Sequence, residues 1–218
     1  MTLNELLEKT LAHSQAQFPP EALRVISAAD DELRERAVGQ DSRKAGDTFP
    51  DATLCDANGK TISLRDLNKA GPLIINFYRG GWCPYCNLEL KAYQDLLGEI
   101  TSLGGQLIAV SPEKPDNSLS TKEKNALSFP VLTDTGNQLA KAIGIAFELP
   151  VGLQNLFSGF GMNLPELNAE TGWALPIPAT FVVDRGGKIM LADVDPQYTR
   201  RLEPAAAIAA LKSCASSM

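Results

Sequence analysis

Apolar positions along this chain follow two periods, and the places where the period changes mark its elements. Leu3, Leu6, Leu7 and Leu11 recur at helical spacing. Thr2 with Glu5 three residues later has the pattern of a capping box, so a helix is expected to start there. Pro19 and Pro20 break this helix and open a second, which carries Leu23, Ile26 and Leu33 among many charges. Residues 1–45 are thus expected as a helical arm that packs on the rest of the chain or on a partner subunit.

Gly46-Asp47-Thr48-Phe49-Pro50 marks a boundary. Residues 53–55 and 61–64 alternate around Asp56-Ala57-Asn58-Gly59, the pattern of a β-hairpin with an Asn-Gly turn. An apolar run at 73–78 reads as a buried strand, and 87–103 as a long helix. A strand at 106–111, a polar stretch with a short helix at 114–125, a strand at 129–132 and a short helix at 137–143 follow. Such alternation implies a parallel sheet core with right-handed crossovers. Residues 180–184 and 188–194 flank Arg185-Gly186-Gly187 as a hairpin, and 204–214 is an alanine-rich closing helix. The expected class is α/β, a central mixed sheet flanked by helices, with an N-terminal helical arm at 1–45 and one domain at 46–218.

Residues 146–175 do not fit that plan. Leu153, Leu156, Phe157, Phe160, Met162, Leu164 and Trp173 are interleaved there with glycines and asparagines. A connection of this length is usually functional or an interface. It is read as an insertion, serving as a substrate wall or as a homodimer contact.

Composition narrows the function. The net charge of −6 argues against a general binder of nucleic acid or anionic membrane. No apolar run approaches the roughly 18 residues of a membrane span. The first residues lack the basic start and apolar core of a secretory signal. Only four cysteines occur, which is no disulfide framework and fits a reducing cytoplasm.

Two of those cysteines stand in Phe77-Tyr78-Arg79-Gly80-Gly81-Trp82-Cys83-Pro84-Tyr85-Cys86, between the strand and the long helix. With Cys83 as N-cap, Pro84 falls at the first helical position, where proline suits best. A thiolate at Cys83 then meets unpaired N–H groups and the positive end of the helix dipole. Both lower a thiol pKa. The offset of three places Cys86 on the same face, close enough for a reducible disulfide. Structural zinc usually takes four ligands. Cys55, Cys214 and His13, the single histidine, are not paired at ligand spacing, so neither a metal nor a cofactor is expected.

The stretch Trp82-Cys83-Pro84-Tyr85-Cys86 resembles the Trp-Cys-x-x-Cys of thioredoxin-like oxidoreductases. Asn76-Phe77-Tyr78 and the flanking chain, over about 46–211, resemble peroxiredoxins, the alkyl hydroperoxide reductase and thiol-specific antioxidant family. The resemblance implies a thioredoxin-like, peroxiredoxin-type fold. It puts Cys86 at the peroxidatic position, with Arg79 where that family has proline and Cys83 where it has threonine. Residues 176–184 resemble the strand that thioredoxin folds enter through a cis-proline, here Pro178, which packs against the cysteine pair and shapes the substrate groove. Trp82, Pro84 and Tyr85 would share that groove. Peroxiredoxins usually have an arginine at the position of Pro178. The hairpin at 180–194 returns the following loop to the active edge, so Arg200 or Arg201 is expected to supply the missing charge, with Arg79 as the competing candidate.

Three functions are compatible with this reading. The first is an antioxidant peroxidase that reduces hydroperoxides through a Cys83–Cys86 dithiol/disulfide cycle. The second is a protein disulfide reductase with Cys83 as nucleophile. The third is a non-enzymatic, redox-responsive interaction protein. The enzyme readings need a thioredoxin- or glutathione-type reductant. Changing either cysteine to serine is expected to abolish turnover. Mass spectrometry of the oxidised protein should show a Cys83–Cys86 linkage, and a bond from Cys86 to Cys55 or Cys214 would contradict this.

Overall fold

The computed structural model describes residues 1–215. Two helices, α1 (Leu3–Gln17) and α2 (Pro20–Glu35), open the chain. Then come β1 (Thr53–Asp56), β2 (Thr61–Ser63), α3 (Leu64–Ala70) and β3 (Leu73–Phe77). Next are α4 (Pro84–Asp95), α5 (Leu97–Ser102), β4 (Gln106–Ser111), α6 (Pro115–Lys124), β5 (Val131–Thr133) and α7 (Gln138–Ala142). The segment β6 (Ala146–Glu148), α8 (Val151–Gly159), α9 (Leu164–Leu167) and β7 (Ala174–Pro176) precedes β8 (Ala179–Val183), β9 (Ile189–Val194) and α10 (Pro204–Ala215).

Seven strands form one sheet in the order β2-β1-β5-β4-β3-β8-β9. β3, β4 and β5 run parallel, while β1, β8 and β9 join antiparallel. The expected mixed sheet is therefore present. β3 and β8 are buried at every position, as strands covered on both faces must be. Their side chains alternate between two cores. Ile74 and Val182 face the side packed by α1, α4 and α10, with Leu7, Leu90, Tyr93 and Leu211. Ile75, Phe77 and Phe181 face the other, with Phe49, Leu64 and Leu139. Each large apolar side chain buried this way stabilises the fold by about 1.5–3 kcal/mol. A third cluster joins α2 to α8 through Ala29, Leu149, Leu153, Leu164 and Leu175.

The structure departs from the sequence expectations in three places. The helix expected over 87–103 breaks at Leu96, whose N–H turns to Tyr93 O. Gly98, a poor helix former, lies two residues beyond. Residues 146–175 are not an irregular connection but a two-stranded sheet of β6 and β7 enclosing two helices. No cis peptide occurs among the described residues, so the peptide before Pro178 is trans. Ile177 N–H bonds Ile145 O at 2.8 Å, and the chain runs extended from β7 into β8. That path needs no reversal at Pro178, and a trans bond serves it.

The arm packs on the domain. Thr2 caps α1 in the expected box with Glu5. Glu203, just before α10, accepts the N–H groups of Leu3 and Asn4 at 3.3 and 2.7 Å. Leu3 and Leu7 are each 3% exposed. Leu7→Ala should therefore cost about 2–5 kcal/mol in urea unfolding, as a core truncation does. A loss below ~0.5 kcal/mol, the usual surface value, would show that the arm does not share the core.

Candidate active site

β3 delivers the chain to the site. Tyr78, one residue past the strand, still donates its N–H to Val110 O at 3.0 Å. The chain must then turn into α4 within a few residues. Gly80 permits it with φ at +150°, and a Cβ there would lie 2.3 Å from Trp82 Nε1. A Cβ on Gly81 would meet Thr121 Oγ1 at 2.0 Å. Three hydrogen bonds hold the turn. Cys83 N–H reaches Gly80 O at 3.1 Å, Gly81 N–H reaches Glu113 Oε2 at 2.9 Å, and Asn87 Nδ2 reaches Gly81 O at 2.8 Å.

Cys83 is the N-cap of α4 in extended backbone, and Pro84 takes the first helical position. Cys86 follows one turn inside. The sulfurs sit differently. Cys86 is fully buried and accepts the Arg79 N–H at 3.5 Å and Arg201 Nη2 at 3.6 Å. Arg201 Nε also donates to Glu89 Oε2 at 2.7 Å, and both side chains are almost fully buried. Asn76 Nδ2 donates to Glu89 Oε1 at 2.8 Å and to Thr180 Oγ1 at 3.1 Å. Arg201 Nη1 donates to the carbonyls of Tyr198 and Arg200. Arg201 thus ties the loop before α10 to α4 and to a sulfur at once.

Cys83 lies on the floor of a cleft of about 270 Å³, with Arg79, Trp82, Pro84, Tyr85 and Tyr198 near it and Ser14, Phe18, Ile26, Leu153, Leu156, Phe157, Phe160 and Met162 as the remaining wall. The Arg79 guanidinium sits between the rings of Trp82 and Tyr198, 4.9 and 4.7 Å from their centres.

These surroundings separate the two thiols. Burial pushes Cys83 up. The hydrogen bond from Cys86, the charges of Arg79 and Arg201 and the Cys86 N–H together outweigh it, so Cys83 falls below the ordinary thiol range. Its sulfur makes no capping hydrogen bond of good geometry, so the side chain of Cys86 and the arginines contribute more than the cap itself. Burial also pushes Cys86 up, and the neighbouring Cys83 adds to it. Arg201 and the Arg79 N–H only partly offset this, leaving Cys86 well above the ordinary range. Two carboxylates stand close by. Burial raises Glu89 to about 7 against the pull of Arg201, with the charge of Cys86 adding to the rise. Burial raises Glu113 to about 7 against the Gly81 N–H, again with Cys86 adding.

The residues singled out in the sequence divide as follows. Cys83 and Cys86 share one turn, and Trp82, Pro84 and Tyr85 line the cleft with Arg79. Arg201 reaches Cys86. Arg200 does not join them. It is exposed and pairs with Asp195 at 3.4 Å, and its N–H closes a turn on Gln197 O at 2.9 Å. Pro178 is buried where β7 runs into β8 and is not among the residues lining the cleft. Cys55 is half-buried on β1, Cys214 bonds Ala210 O within α10, and His13 is exposed. Sequence reasoning missed Glu89, Glu113 and Tyr198. Glu89 carried a readable signal, since it lies three residues after Cys86 on the same helix face.

The pattern of the AhpC/TSA family matches residues 45–192, more than half of the chain. A Mycobacterium tuberculosis protein named as a peroxiredoxin is 29% identical over 154 residues, covering 71% of this chain and 87% of that one. The thiol-disulfide oxidoreductase ResA of Bacillus cereus is 24% identical over 165 residues, covering 75% of this chain and 78% of that one. Among solved structures, peroxidoxin BcpB of Mycobacterium tuberculosis superposes with a TM-score of 0.61 at 22% identity, over 78% of this chain and 97% of that one. With a paired thiol site on a thioredoxin-like sheet, the chain belongs to the AhpC/TSA family and is a peroxiredoxin-like, thiol-dependent oxidoreductase.

Proposed function

We propose that the chain reduces hydroperoxides with Cys83 as the attacking thiolate and Cys86 as the resolving thiol. The observation that carries this is the polarity of the pair: the thiol held below the ordinary range is the one that lines the cleft. The Cys83 sulfur attacks one peroxide oxygen, the O–O bond breaks, and the departing oxygen leaves as alkoxide or hydroxide and takes a proton from water. Arg79 lies beside that oxygen and stabilises its charge. The product on the enzyme is a Cys83 sulfenic acid. Cys86 then attacks the Cys83 sulfur, its proton leaves with the sulfenic hydroxyl as water, and a disulfide forms. An external dithiol of the thioredoxin type, or two glutathione-type thiols, restores both thiols by exchange.

Cys86 is the rival first nucleophile, as the peroxiredoxin alignment has it, and the contacts from Arg201 and the Arg79 N–H favour that order. Its absence from the cleft lining and its raised pKa oppose it. Disulfide exchange is the second reading. It is favoured by Trp82 beside Cys83, and Cys83 attacks in that case too. Because the cycle consumes reductant, we assign the chain to the cytoplasm, where thiols stay reduced.

In a Cys86→Ser variant treated with peroxide, dimedone should label Cys83, and the cycle should stall after one turnover. Label confined to Cys86 in the Cys83→Ser variant, with none on Cys83 in Cys86→Ser, would reverse the assignment. The peroxide rate should depend on pH in a defined sense. The thiolate is the reactive form, so the rate is highest above the lowered Cys83 pKa and falls as pH drops through it. The inflection should lie below the ~8.5 of a free thiol. Arg79→Gln should move it up by roughly one unit, and no movement would remove Arg79 from the account.

A further inference from the structure

Arg79 and Arg201 both bring positive charge to the thiols, but they are held in different ways. Arg201 is ion-paired with Glu89 at 2.7 Å, so a carboxylate offsets its charge where it stands. Arg79 is as deeply buried, at 5% exposed against 7%. It makes no ion pair among the described residues, and its Nε has no acceptor. A charge taken out of water is costly unless something else holds it. What touches this one is aromatic. The rings of Trp82 and Tyr198 lie against the guanidinium, their centres 4.9 and 4.7 Å from its carbon. A ring face attracts a cation through its quadrupole and carries no net charge. Arg79 therefore keeps its full charge, and it lowers the Cys83 thiol more than Arg201 does.

Tyr198 is itself fixed from two sides. Its carbonyl accepts Arg201 Nη1, and its ring meets Tyr85 edge-on at 5.5 Å and 84°. Tyr85 is buried on α4, two residues after Cys83. Burial pushes the Tyr198 phenol up to about 12 against the pull of Arg79, so the ring stays neutral. Tyr198 lies between β9 and α10, outside the residues matched by the family pattern. Cys83 is faced by Cys86 and Tyr85 of α4, by Arg79, and by Tyr198 and Arg201 of that loop. Arg79 is also faced by Asp30 of α2, whose carboxyl burial pushes up.

We infer that Tyr198 is a positioning residue that acts through Arg79: its ring, together with that of Trp82, holds the guanidinium at Cys83 without neutralising it. The two rings stand where a carboxylate would otherwise be. The charge is left for the thiolate and for the oxygen that departs from the peroxide. The departing oxygen belongs to the peroxidase reading and rests on it, whereas the effect on the thiolate needs only the thiol.

The test titrates the Cys83 thiolate by ultraviolet absorbance and follows the peroxide rate against pH. The variants are Tyr198→Leu, Tyr198→Phe, Arg79→Gln and the double variant Arg79→Gln/Tyr198→Leu. Tyr198→Leu removes the ring and should raise the inflection by roughly one unit. Below the inflection the thiolate fraction, and the rate with it, should fall about tenfold. Tyr198→Phe keeps the ring and should return the inflection to its wild-type place. The double variant should match Arg79→Gln alone, because residues that act through one contact are not additive. Trp82→Leu and Trp82→Phe repeat the comparison from the second ring and cover the case in which Tyr198→Leu does not fold. Three results would each overturn the inference and leave the peroxidase reading intact: an unmoved inflection in both leucine variants, a shift in Tyr198→Phe as large as in Tyr198→Leu, or a double variant that shifts further than Arg79→Gln. Titrations as expected, with no turnover of hydrogen peroxide or cumene hydroperoxide, would overturn the peroxidase reading and uphold the placement of Arg79 by the rings.

Discussion

The buried ion pair between Arg201 and Glu89 is the constraint on which the site depends. Two charges taken out of water need each other and need further hydrogen bonds. Asn76 supplies a donor to the carboxylate, and the carbonyls of Tyr198 and Arg200 accept from the guanidinium. The pair therefore fixes the loop before α10 against α4, and fixes α4 against β3. Losing one partner would strand the other charge, at about 3–5 kcal/mol. The same guanidinium reaches Cys86, so the contact that holds the loop also sets the charge around the thiols.

One cation serves two sulfurs unequally because their place relative to the cleft and their roles in the contact between them differ. Cys83 accepts the hydrogen bond within the pair and feels Arg79 and Arg201. Cys86 donates that bond, does not line the cleft and is opposed by any charge on Cys83. The pair behaves as a single titrating unit whose first proton leaves from the cleft side. Chemistry follows from this asymmetry. In the proposed reaction the charged sulfur meets the substrate, and the neutral one stands behind it with a proton to release as water forms.

How much of this was legible follows the range of the interactions. Cys83, Pro84 and Cys86 obey helix-start rules that act within four residues, so their arrangement could be read from spacing. The cores of β3 and β8 follow from apolar runs. Arg201 was reachable through topology, since the hairpin of β8 and β9 returns the chain to the active edge. That argument could not separate Arg201 from Arg200, because loop direction decides which of two neighbours turns inward. Glu89 shares the helix face of Cys86, three residues on, but spacing alone does not show that it is buried against Arg201. The α8 helix was hidden by glycines and asparagines whose cost is met by packing against α2. The isomer at Pro178 depends on how β7 enters β8, which no local pattern records.

The central claim is that the thiol facing the cleft ionises first and that its buried partner stays protonated. Ultraviolet thiolate absorbance, titrated in the wild type and in the Cys83→Ser and Cys86→Ser variants, tests it most directly. The account predicts a step below the ordinary thiol value of ~8.5 in the wild type, lost in Cys83→Ser and kept in Cys86→Ser. A low step that persists in Cys83→Ser and vanishes in Cys86→Ser would contradict it.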